Sequence, residues 1–219
     1  MSSFRADLKL VVADQTMKAA FEGLLTRHQS LGIRPLDLGA QPAIVHPRHD
    51  PGCWKDGPVL LAIEHQHFRH GVLALDWEGC NSNCSAEETR HDLQTRLDQR
   101  TSPGWGSVVL LEPELESWMF AGSHELDRAL GWSPGSLTPW LLQKGHLMEG
   151  RQKPGRPKET MEQALFVVKR PRSSSIYRQL ALKVSFSRCE DASFLAFKAT
   201  LQQWFPHHDL GSAENPRSS

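Results

Sequence analysis

The sequence predicts an α/β fold: a mainly parallel sheet with flanking helices and a small helical C-terminal extension. Three observations predict it. Leu8–Val12, Val72–Leu75 and Ser107–Leu111 are short apolar runs with little or no polar alternation, as in strands buried on both faces. The first runs straight into a segment of helical spacing, the opening of a strand–helix alternation. The other two end in acids, Asp76 with Glu78 and then Glu112, Glu114 and Glu116. The carboxyl ends of parallel strands are where open α/β sheets bind ligands.

After Leu8–Val12, residues Met17, Ala20, Phe21, Leu24 and Leu25 recur on one helical face, with Asp14 or Thr16 as N-cap. A second strand falls within Ile33–Val45, broken by Gly39 and Pro42. His46–Gly52 reads as a loop from its prolines and glycine, and Trp54–His65 as the next helix. Gly71–Gly79 is the central strand and its exit. Ser85 with Glu88 forms a capping box opening a charged helix over Ala86–Gln99. Leu115, Trp118, Met119 and Phe120 suggest a helix starting right after Pro113, and Leu126–Trp132 adds a short one. Pro134–Pro139 is a break, with Trp140–Met148 helical beyond it. Gly150–Lys158 reads as a linker, followed by helices over Thr160–Lys169, Ile176–Val184 and Ala192–Phe205. This gives an α/β domain over 1–131, a helical extension over 132–206 and a disordered tail over 207–219.

The 219 residues are 39% hydrophobic and 23% charged, enough apolar content for a packed core and too much for wholesale disorder. Lys plus Arg equals Asp plus Glu at 25 each, which argues against a dominant electrostatic grip on nucleic acid. Cys53, Cys80, Cys84 and Cys189 are scattered, as expected of reduced thiols in a cytoplasmic protein. No apolar run reaches the roughly 18 residues of a membrane span, and the N-terminus lacks the apolar stretch of a secretory signal.

The candidate chemistry gathers at the strand ends. Asp76 and Glu78 are two residues apart, so a continuing strand points both carboxylates to one side, where they suit a divalent cation such as Mg²⁺. Glu116 is the candidate third metal ligand. The competing reading makes Asp76 and Asp14 helix caps and leaves Glu78 in solvent. His49 and Asp50 are expected to fix their loop by hydrogen bonds beside the acids. The eleven histidines, among them His46, His49 and His65-x-His67-x-x-His70, offer zinc ligands without a complete signature. Arg151, Lys153, Arg156 and Lys158, then Lys169, Arg170 and Arg172, form two basic clusters, read either as a solvated linker or as a phosphate-tracking track. The tryptophans, Trp118 among them, are expected in the core.

The order of these parts resembles the Toprim domain, the fold of topoisomerases, primases and overcoming-lysogenization-defect type nucleases. More narrowly, Leu73-Ala74-Leu75-Asp76-Trp77-Glu78-Gly79, Pro113-Glu114-Leu115-Glu116-Ser117-Trp118 and the His46–Gly52 loop resemble a family of uncharacterised bacterial Toprim-like proteins, some encoded beside phage-defence genes. The resemblance covers residues 8–132. It implies a component of an antiphage defence system, with other defence-system proteins and nucleic acid as candidate partners and no membrane. It also implies a metal-dependent nuclease with Asp14, Asp76 and Glu78 catalytic and Mg²⁺ on Asp76, Glu78 and Glu116. One departure supports an alternative, a catalytically degenerate scaffold that binds partner subunits. Catalytic Toprim domains carry a glutamate just after the first strand, where this chain reads Val12-Ala13-Asp14-Gln15. Ala13 cannot transfer a proton, and losing such a group costs typically ~10²–10⁴-fold in rate.

Overall fold

Apolar runs separated by helices are all buried together only when the strands lie parallel and helices cover both faces. The computed structural model, which describes residues 4–120, 124–151, 153–184 and 189–207, has this arrangement. Four parallel strands, β1 (Ala6–Val12), β2 (Ala43–Val45), β3 (Phe68–Asp76) and β4 (Gly106–Leu111), lie in the order β2-β1-β3-β4. The run of Val72–Leu75 is fully buried at the centre of the sheet, as its lack of alternation requires.

The helices are α1 (Gln15–Leu25), α2 (His28–Leu31), α3 (His49–Ala62), α4 (Ala86–Asp98), α5 (Glu116–Met119), α6 (His124–Leu130), α7 (Leu137–Gln143), α8 (Pro157–Val167), α9 (Ser174–Lys183) and α10 (Ala192–Trp204). Helix α3 packs on β1 and β3, and α4 on β4 and α3. Helix α9 lies along α1, while α10 reaches β4 and α2. The close approach of α9 to α1 depends on Gly23, where a Cβ would lie 3.1 Å from both Ala181 Cβ and the Arg178 carbonyl oxygen. Trp118 is buried as expected and sits among Phe21, Phe194 and Phe197, with ring centroids 5.2–5.9 Å away. Residues from the 132–206 region therefore share one continuous core with the α/β layers.

β4 is an edge strand, and the Gln94 side chain covers part of that edge. Its amide donates to the Gly106 carbonyl and accepts from the Val108 N–H, both at 3.0 Å. The expected capping box at Ser85 and Glu88 forms.

Three helices start inside segments read as loop, break or linker, all for one reason, while the helix expected right after Pro113 begins only at Glu116. α3 begins at His49, inside the expected loop. α7 begins at Leu137, inside the expected break. α8 begins at Pro157, inside the expected linker. Pro51, Pro139 and Pro157 lie in first turns, where a missing N–H breaks no helical bond, so each proline opens a helix and does not block one. The tail expected over 207–219 falls outside the described residues from 208 onward. Among the described residues, no helix is long and apolar enough to cross a membrane.

Candidate functional site

The carboxyl end of β3 is built from four directions. β3 delivers Asp76, which is 9% exposed. The first turn of α3 delivers Asp50, whose Oδ1 accepts the Asp76 main-chain N–H at 2.7 Å. The turn after β4 returns beneath them, and the Leu115 N–H donates to Asp76 Oδ1 at 2.9 Å. Asp76 and Asp50 thus tie β3, α3 and the β4–α5 turn together. Gly79 makes room for this, since a Cβ there would lie 2.9 Å from Asp50 Oδ2.

α5 contributes Glu116, which is 1% exposed. Its Oε1 accepts from the Tyr177 hydroxyl of α9 and from Arg172 Nη2 at 3.1 Å. Arg172 Nε also donates to the Tyr177 oxygen at 2.8 Å, closing a Glu–Tyr–Arg triangle. Glu114, just before α5, receives both polar ends of Lys158. The ammonium lies 3.4 Å from Oε1, and the Lys158 main-chain N–H donates to Oε2 at 3.3 Å.

These groups perturb one another strongly. Burial pushes the Asp76 carboxyl well above the usual range, and the charges of Asp50 and Glu116 push it further, against Lys158 and the Leu115 N–H. Burial also raises Asp50, with Asp14 adding to the rise and the Asp76 N–H and Lys158 opposing it. Glu114 is raised chiefly by burial. Burial pulls the Lys158 ammonium down, but Glu114, Asp76 and Glu116 outweigh it, and the net shift is upward. Burial drives the Tyr177 hydroxyl far up, so it acts as a neutral donor.

The structure distributes the sequence candidates unevenly. Asp76 and Glu116 belong to one electrostatic cluster. Asp14 stands at its margin as the N-cap of α1, with Oδ1 accepting the Met17 N–H at 2.7 Å. Glu78 departs from the expectation. β3 ends at Asp76 and the chain turns at Trp77, so two-residue alternation no longer applies and Glu78 lies exposed. His49 and Asp50 make the bonds expected of them, His49 Nδ1 with the Ala13 carbonyl at 3.2 Å and Asp50 with Asp76. Lys158, Arg172 and Tyr177 were not singled out as site residues. Tyr177 had one signal, as the sole tyrosine of the chain. Lys158 and Arg172 were hidden in basic clusters read as solvated or phosphate-tracking.

Those basic clusters are largely engaged internally. Lys153 bonds Asp191 at 2.6 Å, Arg156 pairs with Glu159 at 3.0 Å, and Arg170 donates to the Ala129 carbonyl at 2.8 Å. The histidines go to separate partners, His46 to Asp56 and His70 to the Trp105 carbonyl. Among the described residues, no group of three or more His, Cys, Asp or Glu is arranged to hold a metal ion. An open groove of about 1470 Å³ runs past Glu112, Ser117, Lys153 and Asp191 but is not lined by Asp50, Asp76 or Glu116. Its charges are mixed and several are paired, so the chemically distinctive place is the acid cluster.

No protein-family model, curated protein or solved structure significantly matches this chain.

Proposed function

We propose that this chain is a Toprim-like component of a bacterial antiphage defence system, and that its strand-end acid cluster binds a divalent cation for cleaving nucleic-acid phosphodiester bonds. The observation that carries the chemical part is the charge balance. Asp14, Asp50, Asp76, Glu114 and Glu116 interact through space at the carboxyl end of a parallel sheet, against Lys158 and Arg172 among the described residues. A buried excess of carboxylate is relieved by a proton or by a cation. The donors are hard oxygens, which fit Mg²⁺ or Mn²⁺. As they stand Asp50, Asp76 and Glu116 are not arranged around a common point, so they would have to draw together to hold the ion, which would polarise a phosphoryl oxygen or activate water. The defence role and its protein partners rest on the resemblance at Leu73–Gly79 and Pro113–Trp118, and a cytoplasmic setting on the four free cysteines.

A second reading, a degenerate scaffold that docks on partner subunits, is favoured by one specific feature. Ala13 occupies the place of the Toprim acid/base glutamate, and neighbouring Asp14 is engaged as a helix cap.

Calorimetric titration with Mn²⁺ and Mg²⁺, on wild type and Asp76→Asn, tests the reading. Asparagine keeps an oxygen for the Leu115 N–H and removes the charge. Wild type is expected to bind, and Asp76→Asn to bind at least tenfold more weakly. Binding without Mn²⁺-dependent cleavage of DNA or RNA would select the scaffold. No binding by wild type would remove the metal reading.

A further inference from the structure

The outer edge of β4 is covered only in part. Successive residues of a parallel strand turn their N–H and C=O groups to opposite sides. Trp105, just before β4, and Leu111 turn to β3. The Trp105 carbonyl accepts from the Gly71 N–H at 3.2 Å, and the Leu111 carbonyl from the Trp77 N–H at 2.9 Å. Gly106, Val108 and Leu110 therefore turn outward. The Gln94 side chain takes the Gly106 carbonyl and the Val108 N–H, and its reach ends there. Among the described residues, the Val108 carbonyl and both backbone groups of Leu110 have no hydrogen-bond partner.

This open stretch meets the large groove. Leu110 lines it, and its volume of about 1470 Å³ exceeds the ~300–1,000 Å³ of an ordinary small-molecule pocket. Helices α4 and α10 both pack on β4 and both line the groove. On α10 the wall is made of small side chains, since Ala192 and Ala196 stand one turn apart and exposed. Glu87, Arg90, Glu112, Arg151 and Glu190 line the groove without an ion pair among the described residues.

We propose that the groove takes an extended segment of a partner protein, which adds to the sheet as a strand beside β4. Its main chain bonds the Val108 carbonyl and the two free groups of Leu110, as a strand edge requires of whatever covers it. The alanines of α10 leave space for the side chains that alternate along the segment. Unpaired charges of both signs suit a peptide with acidic and basic side chains. They oppose a nucleic-acid strand, whose backbone is negative throughout. Asp50, Asp76 and Glu116 do not line the groove, so docking here is independent of a cation at the acid cluster.

Ten-residue peptides from a random displayed library, selected on the full chain, are the probe. Amide hydrogen exchange is followed by NMR with and without the selected peptide. In the free chain the Leu110 amide should exchange as an open edge does, and the bound peptide should slow it at least tenfold. Ala196→Trp fills the groove from an exposed position and should weaken peptide binding at least tenfold with its thermal midpoint unchanged. A Leu110 amide already as slow as those of β3 in the free chain would overturn the proposal. So would a library that yields no peptide able to protect Leu110. Protection that grows with protein concentration would replace the partner segment by a second copy of the chain, and protection by a DNA or RNA oligonucleotide would replace it by nucleic acid; either result overturns the proposal.

Discussion

Asp7 and Asp76 are the same side chain, 5% and 9% exposed, at opposite ends of one sheet, and their carboxyls shift in opposite directions. Burial acts to raise both. At Asp7 it loses: Arg34 donates to both oxygens at 2.7 Å, the Asp37 N–H adds a bond at 2.8 Å, and Arg69 stands 3.2 Å away, so the carboxyl falls below its ordinary value. At Asp76 the nearest charges include Asp50 and Glu116, and burial prevails. Burial alone therefore does not decide how an aspartate titrates; its neighbours do. The amino end of the sheet is closed by cations that serve stability. The carboxyl end is left short of positive charge, the condition in which functional groups are found.

The largest effect should come from dismantling the balanced end. Asp7→Ala strips Arg34 and the Asp37 N–H of their partner, and urea unfolding at pH 7 should show a loss of about 2–3 kcal/mol. The lowered carboxyl supplies stability above its unfolded value and loses it as pH falls through the folded one, so the variant should also lose part of the acid-unfolding limb below about pH 4. A loss under about 0.5 kcal/mol would break the comparison at its stable end.

A smaller effect is expected at the other end, where Tyr177→Phe leaves Glu116 with Arg172 as its hydrogen-bond donor among the described residues. The loss should be about 1–2 kcal/mol in urea unfolding, since a buried carboxylate forfeits a donor. Smaller again is Asp14→Ala, at about 1 kcal/mol, the ordinary cost of a lost N-cap. Mn²⁺ affinity should fall less in that variant than in Asp76→Asn, because the Asp14 side chain is engaged at α1 and acts on the cluster only through Asp50. A large fall in affinity would move Asp14 from the margin of the cluster to its centre.

Much of this architecture was legible in the sequence. Continuous apolar runs marked β1, β3 and β4, and the charged helix announced itself through Ser85 and Glu88. Asp76 and Glu116 were legible as strand-end acids. Glu78 was misplaced because alternation holds only while the strand continues, and nothing local marks Asp76 as its last residue. Asp50 was legible as a loop-fixing group but not as a member of the cluster. Lys158, Arg172 and Tyr177 were hidden for another reason. They arrive from α8, α9 and the turn between them, far along the chain, and only packing of α9 on α1 and α8 on α5 brings them to the acids. Long-range charge balance leaves no periodic trace in a sequence.

The central claim is that the carboxyl end of the sheet carries negative charge that its own cations leave unbalanced. Urea unfolding of wild type and Asp76→Asn at pH 5 and pH 8, without divalent ions, tests it directly. A raised carboxyl lends stability below its unfolded value, near pH 4, and withdraws it as pH rises toward the folded one. Asp76→Asn cannot ionise, so its stability relative to wild type should improve from pH 5 to pH 8. Parallel stabilities at the two pH values, or an Asp76→Asn variant that loses ground at pH 8, would contradict the account.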